Sequence, residues 1–157
     1  MSKKILLAMD DSDNAMRAVE YIAASFKPEY DVTIFGVIPD TAAVCDMNSP
    51  ELTPFFLSQQ GIFCTMEDKK RELVRDAAEK GKAVLMDSGF DEKRITIKIE
   101  SRKKSIARDI IEEARSGSYD TVVMGRRGLS SLEEIFLGSV SQKVLHASKG
   151  LTVILVT

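Results

Sequence analysis

Thr121-Val122-Val123-Met124-Gly125-Arg126-Arg127-Gly128 is followed, after nine residues, by Gly138-Ser139-Val140-Ser141, and these two segments decide the fold. A β-branched apolar run ends in a glycine turn, and a further glycine precedes a helix-like stretch. Glycines admit an anion to backbone N–H groups because no Cβ is in the way. A helix start adds unpaired N–H donors and the positive end of the dipole. The pattern predicts a strand, a loop and a helix that bind phosphate, with a spacing unlike GxxxxGK[ST] or GxGxxG.

Outward from this stretch, strand-like and helix-like segments alternate along the chain. Apolar runs predict strands over residues 5–9, 32–38, 95–99, 121–124 and 151–156. Apolar residues at helical spacing predict helices over residues 13–27, 66–87, 106–116 and 139–148. Alternating strands and helices of this kind form a parallel sheet with helices on both faces.

The pattern of apolar and polar residues in each strand predicts its place in the sheet. The third strand alternates apolar residues with Thr96 and Lys98, which is typical of a half-exposed edge. The first and fourth strands are apolar throughout, which is typical of central strands. The strand order 3-2-1-4-5 satisfies both observations. From strand one to strand three the chain moves toward one edge of the sheet, and from strand four it moves toward the other edge, so the strand order reverses between strands one and four. Asp10 and Gly125 follow those two strands, so we expect the ligand at this crevice.

The chain is expected to form a single domain over residues 1–157, with one long connection at 39–65. We expect this connection to be a partly helical flap over the ligand end or at an interface, because its apolar residues need cover: Val44, Met47, Leu52, Phe55, Phe56, Leu57, Ile62 and Phe63. Cys45 and Cys64 fit neither a disulfide framework nor a metal site. We expect them to be small apolar side chains in this loop, a redox role being the alternative.

Composition narrows the class of protein. Apolar residues make up 44% and charged residues 29% of 157 residues, with a net charge of −2. No basic arm or aromatic platform indicates a nucleic-acid partner. No apolar run is long enough for a membrane span, and the first residues lack a signal-peptide pattern. A cytoplasmic location is the resulting expectation.

The chain resembles the universal stress protein family in three features. These are the Ile-Leu-Leu-Ala-Met-Asp-x-Ser start, the regular succession of five predicted strands and the G-x2-G-x9-G-S signature. The resemblance spans nearly the whole chain and implies a Rossmann-like, adenine nucleotide alpha hydrolase-like fold. Members with the full signature typically bind ATP. The resemblance therefore implies an ATP-binding regulatory protein of the stress response, with the nucleotide held at the reversal between strands one and four.

Carried over by position, the resemblance implies a set of nucleotide-binding residues. Asp10 corresponds to the acidic residue near ribose and adenine, and Val37 to the position whose backbone binds adenine. The turn along ribose and phosphates and the phosphate-binding helix start correspond to Met124, Gly125, Arg127, Gly128, Gly138, Ser139, Val140 and Ser141. The backbone donors and the two serine hydroxyls would hold phosphate oxygens, with Mg²⁺ shielding their charge. The metal ligands stay unknown.

Several of these residues have a purely structural alternative. Asp10 could complement the dipole of the first helix, and Ser139 with Gln142 fits a capping box. Arg126 and Arg127 could neutralise phosphate or be solvated. His146 lacks a partner serine or cysteine, so no catalytic residue is predicted. Residues 100–104, Glu-Ser-Arg-Lys-Lys, depart from the glycine-proline turn of many relatives, which leaves ligand contact there in doubt or adds positive charge at the rim.

The fifth strand has no charge and would form the other edge of the sheet. An open apolar edge invites pairing, so we predict a homodimer through residues 151–156; cover by the long connection is the alternative. Two other functions remain possible: a dimeric stress scaffold without nucleotide dependence, and a slow ATPase or self-phosphorylating enzyme. A phosphoacceptor domain is disfavoured because strand three ends in Glu100-Ser101. No protein partner can be named.

Overall fold

The computed structural model describes residues 2–40, 53–126 and 137–157. Within these ranges lie five strands: β1 (Lys4–Met9), β2 (Asp31–Ile38), β3 (Ile95–Ser101), β4 (Thr121–Gly125) and β5 (Thr152–Val156). The strands pair in parallel in the order β3-β2-β1-β4-β5. The predicted fold class and strand order are therefore confirmed.

In the same described ranges, four α-helices cover the two faces of this sheet: α1 (Asp13–Ser25), α2 (Pro54–Asp87), α3 (Ile106–Ser116) and α4 (Ser139–Ala147), with a 3-10 turn at Glu92–Arg94. Successive side chains of a strand point to opposite faces. Ile5 and Leu7 of β1 accordingly pack with α1 and α2, whereas Leu6 packs with α3 and α4. Two hydrophobic cores thus hold the central strands, and the strand ends stay available for a site.

The first helix follows its predicted pattern. Ser12 is the N-cap, and its side chain accepts a hydrogen bond from the Ala15 N–H at 3.2 Å. Helical spacing predicts six core-facing residues here; four are buried, Ala15, Ala18, Val19 and Ile22, whereas Ala23 and Phe26 are half-buried. Because the cap fixes where the helix begins, β1 turns into α1 within three residues of its end at Met9.

The second helix is longer than its pattern predicted. It begins at Pro54 rather than Met66, because Thr53 caps the Phe56 N–H at 3.2 Å and a proline suits the first helical position. Its buried stripe is Val74, Ala78, Gly81 and Leu85. Leu73, which helical spacing predicts on the same side as Leu85, is exposed. The segment from Pro54 to Met66 carries no charged residue.

Three apolar residues near the start of α2 are exposed in the single chain, so the expected cover for them stays a prediction. Phe55 is 74% exposed, and Leu57 and Ile62 are exposed as well. Cys64 was expected to be a small apolar side chain in a loop. It lies instead on α2 and is disulfide-bonded. Cys45, the other cysteine of the sequence, and the expected residues Val44, Met47 and Leu52 lie outside the described residues. None of the described helices combines the length and the apolar character that a membrane span requires.

Candidate functional site

A cavity of about 250 Å³ opens at the carboxyl ends of β1, β2 and β4. It lies between the start of α1 and the start of α4, at the point where the strand order reverses. Its lining comes from these strands, from three helix starts and from α2: Ala8, Met9, Asp10, Ser12, Ala15, Phe35, Val37, Pro39, Lys70, Ile106, Ile110, Met124, Gly125, Gly138, Ser139, Val140 and Ser141.

The structure brings eight of the ten predicted site residues together. All eight line this one cavity: Asp10, Val37, Met124, Gly125, Gly138, Ser139, Val140 and Ser141. Arg127 and Gly128, the other two, lie outside the described residues. Arg126 and His146 are absent from the lining, and His146 is exposed on the last turn of α4.

The start of α4 faces the cavity with unpaired donors. Its N-cap is Gly138, which has no side chain to cap the helix. The first intrahelical bond runs from the Gln142 N–H to the Gly138 carbonyl at 3.0 Å. The N–H groups of Ser139, Val140 and Ser141 therefore have no partner within the helix. A capping box with Ser139 as the cap is excluded, because Ser139 is already the first helical residue.

The two serine hydroxyls of α4 have different surroundings. Ser141 is 2% exposed, and its hydroxyl donates to the carbonyl oxygens of Gly125 at 3.1 Å and Arg126 at 2.9 Å. One O–H is thus shared by two carbonyls, which fixes the β4 turn against α4. Ser139 is exposed at the cavity. Of the two hydroxyls, only that of Ser139 is positioned to bind a ligand.

Close packing of the end of β4 against α1 requires a glycine at position 125, which lines the cavity. A Cβ at this position would lie 2.7 Å from Asn14 Cβ, 2.8 Å from its backbone carbon and 2.9 Å from its backbone oxygen. These distances are shorter than real carbon contacts, so only glycine allows β4 to end against the first turn of α1. The glycine acts here by lacking a side chain, because its φ is not in the left-handed region.

Asp10 contributes to both the cavity and the turn that leads into α1. Its Oδ1 accepts a hydrogen bond from the Ser12 N–H at 2.8 Å. This bond gives Asp10 a structural role in the turn, which is separate from the dipole interaction considered as the alternative. It leaves ligand binding open, because a carboxylate has about four lone-pair sites and this bond uses one.

Val37 lines the cavity at the end of β2, and the strand pairing indicates which way its peptide group faces. The Asp31 N–H donates to the Lys3 carbonyl at 2.9 Å, and the Arg102 N–H donates to the Ile38 carbonyl at 2.7 Å. Peptide groups of alternate residues in a strand face opposite neighbours. Val37 thus faces the β1 side, but β1 has ended at Met9, which pairs with Gly36. The Val37 carbonyl is therefore an acceptor at the end of the sheet.

Sequence reasoning missed much of the apolar wall and one charged residue. Phe35, Ile106 and Ile110 line the cavity between β2 and α3. Their apolar character predicted only core packing, and nothing local distinguishes a core residue from one beside a cavity. Lys70 reaches the cavity from the middle of α2, within a run of six charged residues that resembles an ordinary solvated face.

The loop after β3 is held by hydrogen bonds to α3 and by ion pairs of its lysines. Asp109 of α3 is buried and accepts hydrogen bonds from the backbone N–H groups of Lys103 at 2.7 Å and Lys104 at 3.1 Å. The Lys103 side chain pairs with Glu100, and that of Lys104 pairs with Glu112. These lysines do not line the cavity.

Comparison with known sequences gives consistent matches. The model of the universal stress protein family matches residues 56–156. A universal stress protein of Thermus aquaticus is 34% identical over 145 residues, which cover 92% of each chain. A universal stress protein of Mycolicibacterium smegmatis is 33% identical over 90 residues, but this chain spans only 30% of its length.

Solved structures share the fold. That of MJ0577, a universal stress protein of Methanocaldococcus jannaschii, has a TM-score of 0.71 at 26% identity and covers 99% of this chain, which covers 96% of it. A universal stress protein of Archaeoglobus fulgidus bound to dAMP has a TM-score of 0.61 at 16% identity, with 100% and 98% coverage. Family structures with cAMP and with AMP have TM-scores of 0.62 and 0.59, at 20% and 14% identity. Sequence and fold agree: the chain belongs to the universal stress protein family.

Proposed function

We propose that this protein is an ATP-binding regulatory protein of the stress response that holds the nucleotide in the cavity between β1 and β4. The observation that carries the proposal is the uncapped start of α4, whose three N–H groups without a helical partner border the cavity. Relatives solved with dAMP, cAMP and AMP support an adenine nucleotide as the ligand.

The base is proposed to occupy the apolar end of the cavity. Phe35, Ile106 and Ile110 supply apolar walls there. The Val37 carbonyl faces this space and would accept a hydrogen bond from the exocyclic amine of adenine. Guanine presents a carbonyl oxygen at the equivalent position, which would repel the Val37 carbonyl. We therefore expect adenine nucleotides to bind more tightly than guanine nucleotides.

The ribose and phosphates are proposed to run from Asp10 to the start of α4. Asp10 would accept hydrogen bonds from ribose hydroxyls. At about 250 Å³ the cavity lies just below the range of sites that enclose a whole small molecule. It would hold the base and the ribose, with the phosphate chain across its open end. There the N–H groups of Ser139, Val140 and Ser141 would bind phosphate oxygens.

Mg²⁺ is proposed to accompany ATP through the phosphates. The described residues contain no group of three His, Cys, Asp or Glu side chains that could hold a metal. Mg²⁺ commonly keeps several waters and is bound largely by substrate phosphates, which suits a cavity whose described lining has one carboxylate, Asp10. In the proposed arrangement that carboxylate binds the ribose, at the other end of the nucleotide from the terminal phosphate. We therefore propose slow hydrolysis at most, since a general base must reach the attacking water.

Gly138→Asp tests the phosphate site. The backbone of Gly138 has φ −59° and ψ 155°, which any residue can adopt. An aspartate there would cap the free N–H groups of α4 and repel phosphate. We expect unchanged or higher thermal stability, together with at least a tenfold loss of ATP affinity by calorimetric titration. Gly138→Asn, which caps without charge, is the matched control and should bind ATP more tightly than Gly138→Asp. Unimpaired ATP binding in Gly138→Asp would contradict the proposal.

A homodimer through β5 is proposed from the backbone of this edge strand. The Arg126 N–H donates to the Val156 carbonyl at 2.8 Å, so Val156 and Ile154 face β4. By alternation, Val153 and Leu155 direct their peptide groups away from β4. α2 packs on α1, β2 and β3, in the half of the sheet away from β5. The outward edge suits pairing with a second copy.

Proline substitutions test this interface. Val153→Pro removes an outward N–H and is compatible with an edge strand. We expect it to sediment as a monomer under conditions where the wild-type protein is a dimer, with the fold retained. Ile154→Pro is the control, because it removes an N–H that faces β4 and should lower the melting temperature. A dimeric Val153→Pro variant would argue against pairing through β5.

A further inference from the structure

Lys70 is the charged residue of the cavity that no sequence motif identified. It lies near the middle of α2, and its ammonium group pairs with the carboxylate of Asp11, just after β1. Among the described residues that line the cavity, only Lys70 and Asp10 are charged. Lys70 is therefore the one cation that this part of the chain presents to a ligand there.

The surroundings of the pair make it more than a surface contact. The Lys70 side chain is 28% exposed and that of Asp11 is 18% exposed. Partly buried charges are screened less by water and salt than exposed ones. Asp11 lies between Asp10 and Ser12, which both line the cavity, and the start of α4 on the same cavity is suited to another anion. A carboxylate and a phosphate compete for the same ammonium donors.

We propose that Lys70 is a phosphate-binding residue of this site and that Asp11 competes with the phosphate chain of the nucleotide for its ammonium group. The proposal rests on the proposed nucleotide site and extends it. When ATP binds, Lys70 exchanges its carboxylate partner for phosphate oxygens. Affinity therefore increases with the number of phosphates, and Asp11 lowers the affinity for the ligands that carry them.

A simpler role for the pair would be a tether between α2 and the turn before α1. The two roles predict different signs. A tether is lost equally in Lys70→Met and in Asp11→Asn, so both variants would change ATP affinity in the same direction. Competition predicts that Lys70→Met weakens ATP binding, whereas Asp11→Asn strengthens it because Lys70 is released.

The experiment is calorimetric titration of adenosine, AMP and ATP into the full-length variants at one magnesium concentration. We expect Lys70→Met to weaken ATP binding about tenfold, the size of one charge-assisted hydrogen bond, and to change adenosine binding less than about twofold. Lys70→Arg should retain most of the ATP affinity. Asp11→Asn should tighten ATP binding about threefold, which is the size of effect expected when one partly screened charge is removed.

The double variant separates competition from a general electrostatic effect. If Asp11 acts through Lys70, Asp11→Asn gives no gain in the Lys70→Met background. An equal gain in both backgrounds, or the same sign for both single variants, would overturn the proposal. Lys82→Met is the matched control: Lys82 lies on the same helix and pairs with Glu92 at 3.0 Å, but does not line the cavity. It should leave ATP affinity unchanged.

The outcomes also distinguish this proposal from the one on which it rests. If the wild-type protein binds no adenine nucleotide, the proposed function itself is contradicted. A wild-type protein that binds ATP, with Lys70→Met binding it equally well, would overturn only the role of Lys70.

Discussion

Gly125→Ala tests whether the end of β4 fits against α1 as closely as the structure shows. The added Cβ would lie 2.7 Å from Asn14 Cβ and under 3.0 Å from two backbone atoms of Asn14. Carbon atoms prefer a separation of about 3.5 Å or more, so the shortest contact lacks roughly 0.8 Å. A backbone contact cannot be relieved by rotating a side chain, so either α1 or β4 must move.

Neither element moves freely. The first turn of α1 is fixed by the Ser12 cap and by Ala15, which is 3% exposed. β4 is held between β1 and β5. Overpacking of this kind costs about 1–3 kcal/mol of the free energy of unfolding. For a protein of this size, that lowers the melting temperature by roughly 3–10 °C.

Thermal unfolding followed by circular dichroism at one protein concentration measures this effect. Gly61→Ala is the matched control, because a Cβ at Gly61 would meet nothing within 4 Å. It lies inside α2, where alanine is favoured over glycine by about 0.5–1 kcal/mol. The same chemical change should thus lower the melting temperature at Gly125 and raise it at Gly61. A Gly125→Ala variant as stable as the wild-type protein would refute the reasoning.

Two further predictions concern single hydroxyl groups. Ser141→Ala should lower the free energy of unfolding by about 1–2 kcal/mol in urea titrations, because two backbone carbonyls lose their donor; Ser139→Ala should change it by less than about 0.5 kcal/mol and mainly weaken ATP binding. Burial raises the pKa of the Tyr119 phenol above its ordinary value near 10. The folded state therefore keeps this proton after the unfolded state has lost it, so stability should fall as pH rises above about 10, and less steeply in Tyr119→Phe.

Parts of the fold were predictable because their signals are local. Alternation of apolar and polar residues placed β3 at an edge, and continuous apolar runs placed β1 and β4 at the centre. The start of α2 was missed although Thr53 and Pro54 signal it. Gly61 disfavours a helix, and the apolar segment around it was interpreted as a loop that needs cover. The structure instead continues the helix through this segment and exposes Phe55 and Ile62.

The strand order, the end of the sheet at which the cavity opens and most of the residues that line it could be predicted from the amino-acid sequence. These features follow from periodicity and from glycine positions, which act within a few residues. Three contacts became known from the folded chain alone: Lys70 pairs with Asp11, 59 positions away, Ser141 donates to the backbone of the β4 turn, and Gly125 lies against Asn14. Such contacts depend on how whole helices pack on the sheet, and no local pattern encodes the distance between two side chains from different elements.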